Sequence, residues 1–197
     1  PAIVTTAQVN AAVNVLNSAR TDLGPALILA QLTVGRIGDV TQLAQENVRL
    51  ETDGKLHITF RRGKGVKARK PYTIHTYISG KWKVQLHAFL ARKGPGLLWP
   101  GSPQQRKKYG TTIRDALRSI NPEAEQKSIR RSALQALAKL PQATEDWLMH
   151  FSAHVDRKTL YRYLGWGLYN EGTAQHTRAM AREALQVPEE ASSTRVA

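Results

Sequence analysis

The stretch from Lys127 to Tyr163, KSIRRSALQALAKLPQATEDWLMHFSAHVDRKTLYRY, sets two cations, an imidazole and a phenol in an order that suits chemistry on a phosphodiester. Lys127 and Arg130 are three apart, so on a helix they share a face and can close on one anion. His154 can donate a hydrogen bond to a non-bridging phosphate oxygen. Nine residues on, Tyr163 carries an oxygen that forms a phosphoester once deprotonated. The stretch also predicts its own folding. Ile129, Ala133, Leu137 and Leu140 recur at helical spacing from about Gln126 to Leu140, which puts both cations near a helix start, where backbone amides favour an anion. Thr144 opens a second helix with Trp147, Leu148 and Phe151 inward, and Asp156 caps a third that runs to about Leu164, with Gly165 as its stop. Val155, Leu160, Tyr163 and Leu164 fall on the inner side of that third helix, so Tyr163 reads either as nucleophile or as core aromatic, with Tyr161 and Tyr169 as rival phenols. His150 reads as structural, because the residue nine positions beyond it is Thr159.

Working outward, the N-terminal part is helical. Thr5 or Thr6 caps a helix with Val9, Val13 and Leu16 on one face, and Pro25 opens a second, apolar on nearly all sides, that ends before Gly35. Arg36 at the edge of so apolar a segment needs an anion, either Asp39 one turn on or a ligand phosphate. Asp39 reads as an orienting group, at the start of a short helix to Gln45. The period then changes to two. Val48 and Leu50 precede an Asp53-Gly54 turn, Leu56, Ile58 and Phe60 alternate with His57, Thr59 and Arg61, and a turn from Gly63 to Val66 leads to a strand through Tyr72 and Ile74. This predicts a three-stranded antiparallel meander with one apolar and one basic face. Lys64, between two glycines at the second tip, reads as a phosphate clamp or as the acid that protonates a leaving oxygen. Ser79 caps a helix with Trp82, Leu86, Phe89 and Leu90 inward. A basic loop spans Gly101 to Gly110, and Thr111 or Thr112 opens a helix closed by Asn121-Pro122. A helix of about 173–186 carries too little apolar surface to fold alone, and 188–197 reads as a disordered tail. The fold class is α+β, mainly helical, with one small sheet.

Charge narrows the partner. The 197 residues hold 29 Lys and Arg against 15 Asp and Glu, a net +14. From Gly54 to Arg114 there are 15 basic residues and no acidic one, so the excess is confined to the middle of the chain. A self-repelling block of this kind calls for a polyanion, and nucleic acid is the commonest. Arg61, Arg62, Lys67, Arg69, Lys70, Arg106, Lys107, Lys108 and Arg131 read as contacts to the DNA backbone, which add affinity without choosing sequence. With no cysteine there are no disulfides or thiolate metal sites, the six histidines are scattered and no carboxylates bunch, so no metal or other cofactor is implied. No apolar run approaches a membrane span, so a soluble protein is expected. The chain begins at Pro1 rather than methionine, which suggests a fragment.

Three motifs resemble one family. Arg130-Arg131-Ser132-Ala133 with Ala153-His154 and Thr159-Leu160-Tyr161-Arg162-Tyr163 is similar to the second conserved box of the tyrosine recombinases, the phage-integrase-like enzymes of DNA strand transfer. Thr33 to Val40 resembles their first arginine box, and Gly63-Lys64-Gly65 their hairpin lysine. The resemblance covers about residues 6 to 165 and implies a catalytic set of Arg36, Lys64, Lys127, Arg130, His154 and Tyr163. It implies a single catalytic domain over 1–187, with the 173–186 helix docked on its own domain or on a neighbouring protomer. The N-terminal helical domain that clamps the other side of DNA would lie outside this chain. It further implies double-stranded DNA as partner, a free monomer, and a homo-tetramer on DNA. Lys127 departs from the pattern, because the family's box normally begins with histidine; a charged lysine cannot take the tyrosine's proton. Type IB topoisomerases have lysine there, which makes a DNA-relaxing enzyme the nearest alternative, and a non-catalytic nucleic-acid-binding protein the alternative from another class.

Overall fold

The computed structural model describes residues 2–141, 143–152, 158 and 160. Helix α1 (Thr6–Ser18) starts at a reciprocal cap: the Thr5 hydroxyl accepts from the Gln8 amide at 3.1 Å and the Gln8 side chain accepts from the Thr5 amide at 3.0 Å. Its buried face is Val9, Ala12, Val13 and Leu16. Helix α2 (Gly24–Thr33) has proline in its first turn and is buried on nearly every side, as its unbroken apolar run requires. It ends at Val34, which adopts a left-handed backbone (φ 56°), a conformation that costs a β-branched residue about 1–3 kcal/mol and persists only where neighbours enforce it.

Helix α3 is a single turn, Ile37–Val40, and a 3-10 turn at Gln45–Asn47 leads into the sheet. Strands β1 (Val48–Leu50), β2 (Lys55–Phe60) and β3 (Tyr72–Tyr77) form an antiparallel meander in that order, with Ile58 opposite Ile74 and Phe60 opposite Tyr72. Alternation works as the sequence requires: Leu56, Ile58, Phe60 and Ile74 are all buried, and the Phe60 and Tyr72 rings stack at 5.2 Å. The opposite face is basic as expected, with Arg49 and Lys55 exposed on it. Its centre is an imidazole pair, His57 and His75, with Nδ1 atoms 2.7 Å apart, and His57 Nε2 lies 2.8 Å from Glu51, whose carboxyl that hydrogen bond holds below its ordinary range.

Two further boundaries move. The turn expected from Gly63 to Val66 is a short helix, α4 (Lys64–Arg69). The basic segment expected as a loop from Gly101 is already helical: α6 (Pro103–Ile120) begins at Ser102, whose hydroxyl accepts from the Gln105 amide at 3.3 Å while Gln105 caps in return. The Ser-x-x-Gln box thus outranks Thr111 and Thr112 as the start. Helix α5 (Gly80–Ala91) lies between, with Leu86 and Phe89 buried. Helix α7 (Gln126–Ala138) ends before Leu140, which is 39% exposed rather than core, and α8 (Glu145–Ser152) follows.

The main core joins α1, α2, α5, α6 and the inner face of the sheet. A second cluster gathers Val34, Ala133, Leu134, Ala143, Leu148 and Leu160, so α7 and α8 pack round the end of α2. Among the described residues no helix is long and apolar enough to cross a membrane. Truncating Ile58, which is fully buried, to alanine should cost about 2–5 kcal/mol in urea unfolding, whereas Val84→Ala, at a site 70% exposed, should stay within about 0.5 kcal/mol.

Candidate active site

One carboxylate joins two of the three motifs. Asp39, 5% exposed, accepts the Lys64 amide on Oδ1 at 2.9 Å and the Gly65 amide on Oδ2 at 3.2 Å, so α3 grips the first turn of α4 by its backbone. Both glycines around Lys64 follow from this grip. At Gly63 (φ 107°) a β-carbon would lie 2.3 Å from Asp39 Oδ1, and at Gly65 it would lie 2.8 Å from the Tyr72 hydroxyl. Flexibility for the lysine is therefore not their main use; they let the chain close over the carboxylate. The Lys64 side chain itself is exposed.

Arg36 stands at the N-cap of α3, its Nη1 3.7 Å from Asp39 Oδ2. Among the described residues that buried nitrogen has no hydrogen-bond partner. Asp39 thus neutralises part of the guanidinium's charge without saturating its donors, so the first of the two readings of Arg36, pairing with Asp39, is present in the structure.

The third motif is tied on from α7. Arg130, 4% exposed, donates from Nη1 to the Val34 carbonyl, 96 positions away in sequence. That carbonyl belongs to the left-handed residue closing α2, two positions before Arg36. Arg130 and Lys127 share the first turns of α7 as the spacing requires, but their surroundings differ: Arg130 is buried and Lys127 exposed. Leu160, fully buried, packs in the same cluster as Val34. His154 and Tyr163 lie outside the described residues, as does the helix expected at about 173–186.

The backbone-contact candidates occupy the surface. Arg61, Arg62, Lys67 and Lys70 are exposed around α4, with Arg62 Nη1 reaching the Gln42 carbonyl at 3.4 Å; the side chain of Arg69 lies outside the described set. Lys107 and Lys108 are exposed on α6, Arg106 is half-buried with Nη1 on the Gly101 carbonyl at 2.9 Å, and Arg131 is half-buried on α7. Sequence reading gave Asp39 an orienting part but not the amides that donate to it. The Gly-Lys-Gly spacing carried that signal, since glycines flanking one residue mark close approach of another group as readily as a mobile tip. The Val34 carbonyl had no sequence signal.

The same arrangement of helices and sheet is found in the crystal structure of XerA recombinase, with TM-score 0.63 and 14% identity over 92% of this chain and 65% of that one. It is also found in the catalytic domain of bacteriophage HP1 integrase, with TM-score 0.55 and 15% identity over 84% of this chain and 88% of that one. The fold is that of a tyrosine recombinase catalytic domain. No family model matches the chain, and no curated protein matches it in sequence. This chain spans 65% of the XerA recombinase chain. Within the tyrosine recombinase-like fold, the tie from Asp39 to α4 is open to a direct test. Asp39→Ala leaves two amides without their acceptor at about 1–3 kcal/mol each. It should lower unfolding stability by about 2 kcal/mol or more and speed hydrogen exchange at the Lys64 and Gly65 amides; unchanged exchange there would show that the carboxylate does not hold α4.

Proposed function

We propose that this chain is the catalytic domain of a site-specific DNA recombinase or integrase that cuts and rejoins a DNA strand through a 3′-phosphotyrosyl intermediate. The observation that carries the reading is the tethering of Arg36, Lys64 and Arg130, from three separate parts of the chain, through Asp39 and the Val34 carbonyl. Two guanidinium groups held by buried anchors, with the backbone of Lys64 tied beside them, suit a transition state rich in negative charge, because little must reorganise when that charge develops. The recombinase and integrase with this fold support the reading, as does the burial of Leu160, three residues before Tyr163, against Val34.

In this scheme Arg36, Arg130 and Lys127 bind the non-bridging oxygens and His154 adds a donor. The Tyr163 oxygen attacks phosphorus, its proton passing to water. The bond to the 5′ oxygen breaks, Lys64 protonates that oxygen, and the 3′ end remains on the tyrosine. Attack by a second 5′ hydroxyl reverses the step, so bond energy is kept and strands are exchanged. Exposed cations of α4 and α6 grip the duplex backbone. The acting assembly is a homo-oligomer on DNA, with four protomers the expected number.

A nicked duplex incubated with the protein should yield a covalent adduct that survives denaturant and is lost in Tyr163→Phe. Adduct persisting in that variant would move the nucleophile elsewhere, and none in the parent chain would leave a binding protein. Arg130→Lys, which keeps the charge but not the two-pronged donor, should cut adduct formation about 100-fold or more with binding changed only a few-fold. Strand exchange between two duplexes, rather than relaxation of a supercoiled circle alone, separates a recombinase from a topoisomerase.

A further inference from the structure

A cleft of about 450 Å³ opens between α3 and α6, beside the first residue of α7. Arg106, Lys107, Thr111 and Gln126 line it, and no carboxylate does. Arg106 is half-buried and oriented by its bond to the Gly101 carbonyl, while Lys107, Thr111 and Gln126 are exposed. The set holds two cations, a hydroxyl and a carboxamide, all able to donate to one anion. Gly110 sits under Gln126: a β-carbon there would lie 2.7 Å from the carboxamide nitrogen, so an interior glycine, a weaker helix former than alanine, lets Gln126 lie across α6.

Position decides what the anion is. One wall of the cleft is Ile37 and Gly38, directly after Arg36, and Gln126 directly precedes Lys127. The cleft therefore adjoins Arg36 along the chain through α3 and Lys127 through the start of α7. A strand with one phosphate at Arg36 has the next within one nucleotide, about 3.4 Å further along the duplex axis. The volume exceeds a lone phosphate and falls in the range that accepts a larger ligand, about 300–1,000 Å³, which suits a phosphate together with its sugar.

We propose that this cleft holds a second backbone phosphate of the DNA, adjacent to the one at Arg36, and so sets which phosphodiester reaches the cleavage cluster. The proposal rests on the DNA-cleaving reading. It extends that reading from surface cations to a built subsite in which Thr111 and Gln126 act beside Arg106 and Lys107.

Three proteins test it: the parent chain, Arg106→Gln/Lys107→Gln, and Thr111→Trp, which fills the cleft from an exposed position without changing charge. Two readouts are taken on a pool of randomised nicked duplexes, the slope of log affinity against log salt and the map of adduct positions. Each variant should reduce the slope by about one, the loss of one phosphate contact, and in both the adducts should spread to neighbouring phosphodiesters. A slope lowered by the double variant but unmoved by Thr111→Trp would place the cations' contacts outside the cleft and overturn the proposal, as would adduct positions unchanged in both variants. If the parent chain forms no adduct, the cleavage reading fails by itself, and the slopes alone judge the cleft: the expected losses uphold a phosphate site, and an unmoved slope in Thr111→Trp removes it.

Discussion

The buried carboxylate of Asp39 is the constraint on which the rest of this arrangement depends. A carboxylate 5% exposed is costly unless its oxygens are occupied, and here one oxygen takes the Lys64 amide while the other takes the Gly65 amide and faces Arg36. Satisfying Asp39 therefore fixes α4 and Arg36 at the same time. Both glycines of the Gly-Lys-Gly motif, and hence the course of the chain between β2 and β3, are consequences of bringing amides that close to an anion.

A second constraint acts from the other side. Val34 closes α2 in a left-handed conformation that its β-branched side chain resists, and two interactions hold it there: Arg130 on its carbonyl, and the apolar cluster of α7, α8 and Leu160 round its side chain. The residue that bends the chain towards Arg36 is thus locked by the helix that carries the other arginine. Strain at Val34 is local, but it aligns two segments that are distant in sequence, and packing of the second cluster stabilises that alignment. The charge follows the same logic. A chain of net +14 repels itself, and the acidic group beside Arg36, Asp39, is committed to positioning, so binding a polyanion would relieve the repulsion.

Much of this was legible in the sequence, for identifiable reasons. Strong periodicity found α1, α2, the meander and α7, because Leu56-Ile58-Phe60 and Ile129-Ala133 leave little choice of face. Where a signal was passed over, the sequence misled: Thr111 or Thr112 read as the helix start, whereas the reciprocal cap of Ser102 and Gln105, completed by Pro103 in the first turn, starts it well before them. The α4 helix was hidden because glycines at 63 and 65 imitate a turn. The basic face of the sheet was legible, but not that Glu51 would reach His57 on it. At the site, residue types and order named Arg36, Lys64, Arg130 and the orienting Asp39, whereas the main-chain groups they engage, the Val34 carbonyl and the Lys64 and Gly65 amides, carry no side-chain signature.

The central claim is that Arg36 and Arg130 serve a single phosphorus. The most direct measurement is a crystal structure of Tyr163→Phe bound to a nicked duplex. The account predicts guanidinium nitrogens of both arginines within about 3 Å of oxygens on one phosphate, with Asp39 still on the Lys64 and Gly65 amides. Arginines on different phosphates, or Arg36 paired with Asp39 alone and no DNA near it, would contradict it.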